Sequence, residues 1–188
     1  MSHHPTLIEQ FRSFYLQNNA TDIEQALTYF SVFGGTSWPI PFNVPLWELI
    51  ESKILKNYTY IHADITKVTF SNKVAHTLLS AMASGDRRIY SSFKRARLAR
   101  EEGEATLDNL LDRSLIRIEY SMDHPHYQDD ENSIDKLSFM TPFMRFWFAF
   151  VSPYFQGIKK GDYSEIKEDF TNREQEFYTL FFKKLCRE

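Results

Sequence analysis

Apolar residues recur at helical spacing through most of the chain. In 6–17 (TLIEQFRSFYLQ) Leu7, Ile8, Phe11, Phe14 and Tyr15 share one face, and in 22–33 (DIEQALTYFSVF) Ile23, Ala26, Leu27 and Phe30 do the same. Gly34 and Gly35 follow at once, where glycine most readily ends a helix. The next segment, TSWPIPFNVPLW, carries Pro39, Pro41 and Pro45, which predicts an extended, ordered loop pinned by Trp38, Phe42 and Trp47. A helix is predicted over 46–56, and Tyr58–Phe70 reads as an extended connector.

The centre changes period. Helices are predicted over 73–85 (KVAHTLLSAMASG), 88–99 (RIYSSFKRARLA) and 101–115, the last with Leu107, Leu110 and Leu111 inward. Residues 114–122 then alternate, with Ile116, Ile118 and Tyr120 on one face and Arg117 and Glu119 on the other, which is strand periodicity. After the polar loop DHPHYQDDENS, the segment KLSFM returns as a second strand. Three helices followed by a two-stranded wing make a winged helix-turn-helix.

Beyond it, residues 139–156 (FMTPFMRFWFAFVSPYFQ) hold six Phe, one Trp and one Tyr. A membrane span needs about 20 apolar residues, and Pro142, Arg145, Ser152 and Pro153 interrupt this run. Phe139, Phe143, Phe146, Phe150 and Tyr154 instead mark one helical face, which Trp147 widens, with Thr141 as N-cap and Pro142 at the first helical position. The stretch reads as core rather than as an aromatic ligand box. The expected fold is mainly α, with a helical N-terminal part over 1–70, a winged helix over 71–140 and an aromatic helical region over 141–188 packed on the rest.

Composition narrows the function. Aromatics make up 16% of the 188 residues, so rings build much of the core. The net charge of −3 gives the whole chain no strong pull toward nucleic acid or an anionic membrane. A single cysteine, Cys186, excludes an internal disulfide and fits a reducing, cytoplasmic setting, and MSHHPTLIEQ holds no apolar signal region. His3 and His4 are too few for a tag.

Local charge is more informative. Arg87, Arg88, Lys94, Arg95, Arg97 and Arg100 form a basic cluster with no acid among them. The third helix, which in a DNA-binding winged helix enters the major groove, opposes it with Glu101, Glu102, Glu104, Asp108 and Asp112, and the wing loop adds Asp123, Asp129, Asp130 and Glu131. Carboxylates set against a polyanion are unfavourable. The basic helix therefore either touches phosphates itself or pairs with the acidic third helix inside the protein.

The other candidate chemistry is weak. GGTSW lacks the terminal Gly-Lys-Ser/Thr of a phosphate loop, and no GxGxxG occurs. His124, His126, Asp129, Asp130 and Glu131 are possible metal ligands, but an HxH in a loop without nearby Cys or His reads as a solvated loop, and His62 and His76 lie elsewhere. Cys186 reads as a structural thiol near the end of the last helix. No catalytic constellation, metal or cofactor is expected. In that last helix Phe177, Tyr178, Leu180, Phe181, Phe182 and Leu185 exceed what one face needs, so Phe177, Tyr178, Phe181 and Phe182 are candidate interface rings for a partner or a second copy.

The run from KLSFMTPFMRFWFAF to FYTLFFKKLCRE resembles the C-terminal region of a family of archaeal and bacterial ATPases, catalogued as domain of unknown function 234. The matching motifs are Thr141-Pro142-Phe143, Met144 to Phe148, Pro153 and Phe182 to Glu188. In that family a winged helix precedes this region, and EQALTYFSVFGG is similar to its lid-region helix, so the resemblance spans most of 22–188. It implies an N-terminal P-loop module and a continuation similar to restriction endonucleases. Residues 1–188 contain neither, and Lys183 stands where the family has a glutamate, so ATP hydrolysis and nuclease activity are not carried over. The resemblance implies the joining piece alone.

Three readings result. One is a non-enzymatic module that docks on a protein partner or on itself. The second is a DNA-binding winged helix using the cluster 87–100. The third is a remnant of a longer ATPase- or nuclease-like protein.

Overall fold

The computed structural model describes residues 5–121 and 133–186. It is mainly helical with one small two-stranded antiparallel sheet, and it divides into two compact units, residues 1–59 with 141–188 and residues 60–140. Residues 60–70, grouped with the N-terminal helices in the sequence reading, belong with the winged helix.

In the first unit the helix starts follow from local capping. α1 (Leu7–Gln17) opens on a capping box: the Thr6 hydroxyl accepts from the Glu9 N–H at 3.1 Å, and the Glu9 carboxylate accepts from the Thr6 N–H at 2.8 Å. α2 (Ile23–Phe33) starts on Asp22, which accepts from the Gln25 N–H at 2.8 Å, and ends at Gly34. The proline loop is ordered, as its composition predicts: the Tyr29 hydroxyl donates to the Val44 carbonyl, Asn18 accepts from the Ile40 N–H, and Trp38 packs edge-on to Phe143. α3 (Leu46–Leu49) runs on as a π-helical stretch, Ile50–Leu55.

The aromatic stretch forms α8 (Pro142–Phe146), a π-helical turn (Trp147–Val151), a 3-10 turn (Ser152–Tyr154) and α9 (Phe155–Lys159). Thr141 caps it by accepting from the Met144 N–H at 3.4 Å, with Pro142 at the first position. All five residues from Trp147 to Val151 are buried. One expectation is corrected: Phe139 lies in a strand and in the other unit, because the cap at Thr141 starts the helix after it, so the helical ring face begins at Phe143. α10 (Ser164–Leu185) supplies the opposing rings. Phe150 meets Phe146, Phe170 and Phe177 at centroid distances of 5.5, 5.1 and 5.2 Å, and Phe30 meets Phe11, Phe14 and Phe181.

The second unit contains most of α4 (Tyr58–Val68), then α5 (Lys73–Ala83), α6 (Ile89–Ala96), α7 (Arg100–Asp112), β1 (Ile116–Glu119) and β2 (Lys136–Phe139). α4 replaces the expected connector. Thr59, Ile61, Ile65, Thr66 and Val68 are β-branched and lower its helix propensity, yet Tyr58, Ile61, Ile65 and Thr69 fall on one stripe and are buried, so tertiary burial decides. α5 starts on Asn72, which accepts from the N–H groups of Val74 and Ala75. α6 ends at Arg97 in the left-handed region (φ 57°), and α7 then crosses it closely, because a Cβ on Gly103 would stand 2.7 Å from the Phe93 ring. β1 and β2 pair with Ile116 opposite Phe139 and Ile118 opposite Leu137. The strand is shorter than the alternating segment, and Tyr120 lies exposed beyond it. A single bridge between Arg88 and Lys136 adds a short third edge before α6. Helices α5 to α7 with this sheet have the order of a winged helix-turn-helix.

Candidate interaction surfaces of the winged helix

α7 occupies the place of a groove-reading helix, and its outward face is set by spacing. Gly103, Thr106, Leu107 and Leu110 point inward and are buried. That leaves Glu101, Ala105, Asp108 and Asp112 on one exposed stripe, with Glu102 and Asn109 beside it. Among the described residues none of Glu101, Glu102, Asp108 and Asp112 has an ion-pair partner. Arg113 at the end of α7 turns away, with its guanidinium carbon 3.4 Å from the centre of the Phe70 ring and its Nε donating to Asn109.

Arg87, Arg88 and Arg100 of the basic cluster each lie within ion-pair distance of a carboxylate. Arg87 is held in the left-handed region (φ 65°), its guanidinium 3.6 Å from Glu119 and donating to the Ser138 hydroxyl. Arg88 lies 3.8 Å from Asp86. Arg100 pairs with Glu104 at 2.9 Å and lies over the Tyr90 ring. Arg100 is itself the first residue of α7, so this pair lies within one helix, and among the described residues no base of α6 pairs with a carboxylate of α7. Lys94, Arg95 and Arg97, around the C-terminal turn of α6, are exposed and have no carboxylate partner among the described residues.

The candidate rings of the last helix separate in the same way. Phe177 and Phe181 are buried within their own unit, so their assignment to an interface is corrected: Phe146 and Phe150 cover the first, Phe30 covers the second, and Arg145 stacks on Phe177 at 4.0 Å while donating to its carbonyl. Tyr178 and Phe182 are half-buried and stacked on each other at 6.4 Å. Burial, reinforced by the Glu174 carboxylate, raises the Tyr178 hydroxyl well above the ordinary phenol range and keeps it neutral.

Two features of the second unit escape sequence reading. Phe70 is 69% exposed, and both it and Ser71 adopt positive φ (52° and 54°), a conformation bulky residues rarely take. His76, on α5, has its Nε2 2.6 Å from the Thr69 hydroxyl. That hydroxyl donates to the Ile65 carbonyl at 2.9 Å, so it accepts from the His76 Nε2–H. Burial, with the like charge of His62 second, lowers the His76 pKa below 6.5. The unfolded chain then takes up a proton at His76 more readily than the folded one. Stability from this site is complete above about pH 6.5 and falls as the pH drops. Urea denaturation should show a lower midpoint at mildly acidic than at neutral pH, and His76→Gln should flatten that difference.

The loop residues His124, His126, Asp129, Asp130 and Glu131 considered as metal ligands, together with Asp123, lie outside the described residues. Within the described residues no cluster of three or more His, Cys, Asp or Glu is placed to hold a metal, and no helix is long and apolar enough to cross a membrane. Cys186 is exposed at the end of α10. Compared with family models, with curated proteins and with solved structures, the chain matches none.

Proposed function

We propose that the chain is a non-enzymatic winged-helix interaction module that docks on protein rather than reading DNA. The observation that carries this is the outward face of α7, where Glu101, Glu102, Asp108 and Asp112 stand unpaired among the described residues with no base between them. A DNA-reading helix needs donors and positive charge on that face to approach the phosphates and base edges. An acidic face repels the duplex and attracts a basic protein surface. A cytoplasmic setting and the absence of a cofactor belong to the same proposal. A relation to the ATPase family's C-terminal region, as a remnant of a longer protein, rests on the motifs of 141–148 and 182–188.

DNA binding is the second reading, and one observation favours it: Lys94, Arg95 and Arg97 are exposed and unpaired among the described residues. Fluorescence anisotropy with a short random duplex separates the two. Docking on protein predicts no saturable binding at low or physiological salt, for the native chain and for Arg95→Glu/Arg97→Glu alike. Binding that weakens steeply with salt and is lost in the double variant would establish phosphate tracking by α6 instead.

A further inference from the structure

We infer that two copies of the chain pair through α6 and α7 of their winged helices across a two-fold axis, the basic turn of each α6 seated on the acidic stripe of the other copy's α7. The inference rests on the protein-docking reading and names its partner. Its basis is charge complementarity between two surfaces of the same unit. Lys94, Arg95 and Arg97 fall within one turn at the end of α6 and are exposed. Glu101, Asp108 and Asp112 lie along one stripe of α7 and are exposed. Among the described residues none of these six has an ion-pair partner, although the neighbouring Arg100 and Glu104 pair with each other at 2.9 Å. Among the described residues, the second unit therefore presents an acid surface and a base surface without ion-pair partners.

The arrangement also limits how two copies meet. α7 against α7 sets carboxylates against carboxylates, and α6 against α6 sets bases against bases. Only the crossed pairing matches opposite signs. In a two-fold assembly it occurs twice, because a contact from the first copy to the second is repeated from the second to the first. The contact is polar and rim-like, so association is weak, steered by charge and screened by salt within a Debye length of about 8 Å at physiological ionic strength.

Sedimentation velocity at high protein concentration, at low and at high salt, tests this. The native chain should show a doubled mass at low salt, with dissociation rising roughly tenfold or more as salt is added. Lys94→Glu/Arg95→Glu/Arg97→Glu and Glu101→Lys/Asp108→Lys/Asp112→Lys should each be monomeric alone. An equimolar mixture of the two should regain the doubled mass, since each then offers two surfaces of one sign to two of the other. Circular dichroism checks that both variants remain folded. A native chain that stays monomeric at low salt overturns the inference, and so does a dimer that either charge reversal leaves intact. Neither result touches the docking reading itself, which fails only if the monomer binds duplex DNA in the anisotropy experiment above.

Discussion

Phe150→Ala is expected to destabilise the first unit by about 3–5 kcal/mol, the range for removing a buried aromatic ring from a packed core. Phe150 is fully buried, touches Phe146, Phe170 and Phe177, and has the Arg173 guanidinium 4.9 Å from its centre. Each edge-to-face pair adds about 0.5–1.5 kcal/mol beyond area burial, and the substitution removes two at once, with Phe170 and Phe177. Urea denaturation followed by far-UV circular dichroism measures the loss. Were FMTPFMRFWFAFVSPYFQ a ligand box, the ring would face a binding space and its removal would have little effect on the midpoint.

Gly35→Ala is expected to cost about 2–4 kcal/mol, from two separate causes. Gly35 has φ +87°, which side-chain-bearing residues rarely adopt, and a Cβ there would stand 2.5 Å from the Thr141 Cβ. Thr141 has little room to give way, because it caps α8, and the Phe143 N–H donates to the Gly34 carbonyl at 2.9 Å in the same corner. The same denaturation assay reads the shift. A near-neutral result would mean that the corner between α2 and α8 is loosely packed, contrary to the geometry described.

The sequence carried the elements whose signals are local. Gly34-Gly35 marks the end of α2 and Thr141-Pro142 the start of α8, because stop and cap residues act within a turn of where they stand. Alternation around Ile116 and Ile118 marked the wing for the same reason. The β-branched residues of α4 count against a helix in the sequence, and the burial of Ile61 and Ile65 that offsets this has no local signature. The rings of α10 could not be sorted into core and surface from spacing, since Phe181 is covered by Phe30 and Phe177 by Phe150. Charge behaved likewise. Arg100 and Glu104 are four residues apart, and their pairing is a helix-neighbour effect. The pairing of Arg87 with Glu119 requires the wing to fold back, and it removes one end of a basic cluster that looks continuous in the sequence.

In the function proposed above, the acidic outward face of α7 directs this winged helix away from DNA and toward protein. Anisotropy of a labelled random duplex titrated with Glu101→Lys/Asp108→Lys/Asp112→Lys, beside the native chain, tests it most directly. The native chain is expected not to bind at low salt and the variant to gain salt-sensitive binding, because reversing three exposed carboxylates removes the repulsion and adds phosphate contacts. Equally tight binding by both proteins would contradict it, since the α7 face would then have no part in deciding the partner.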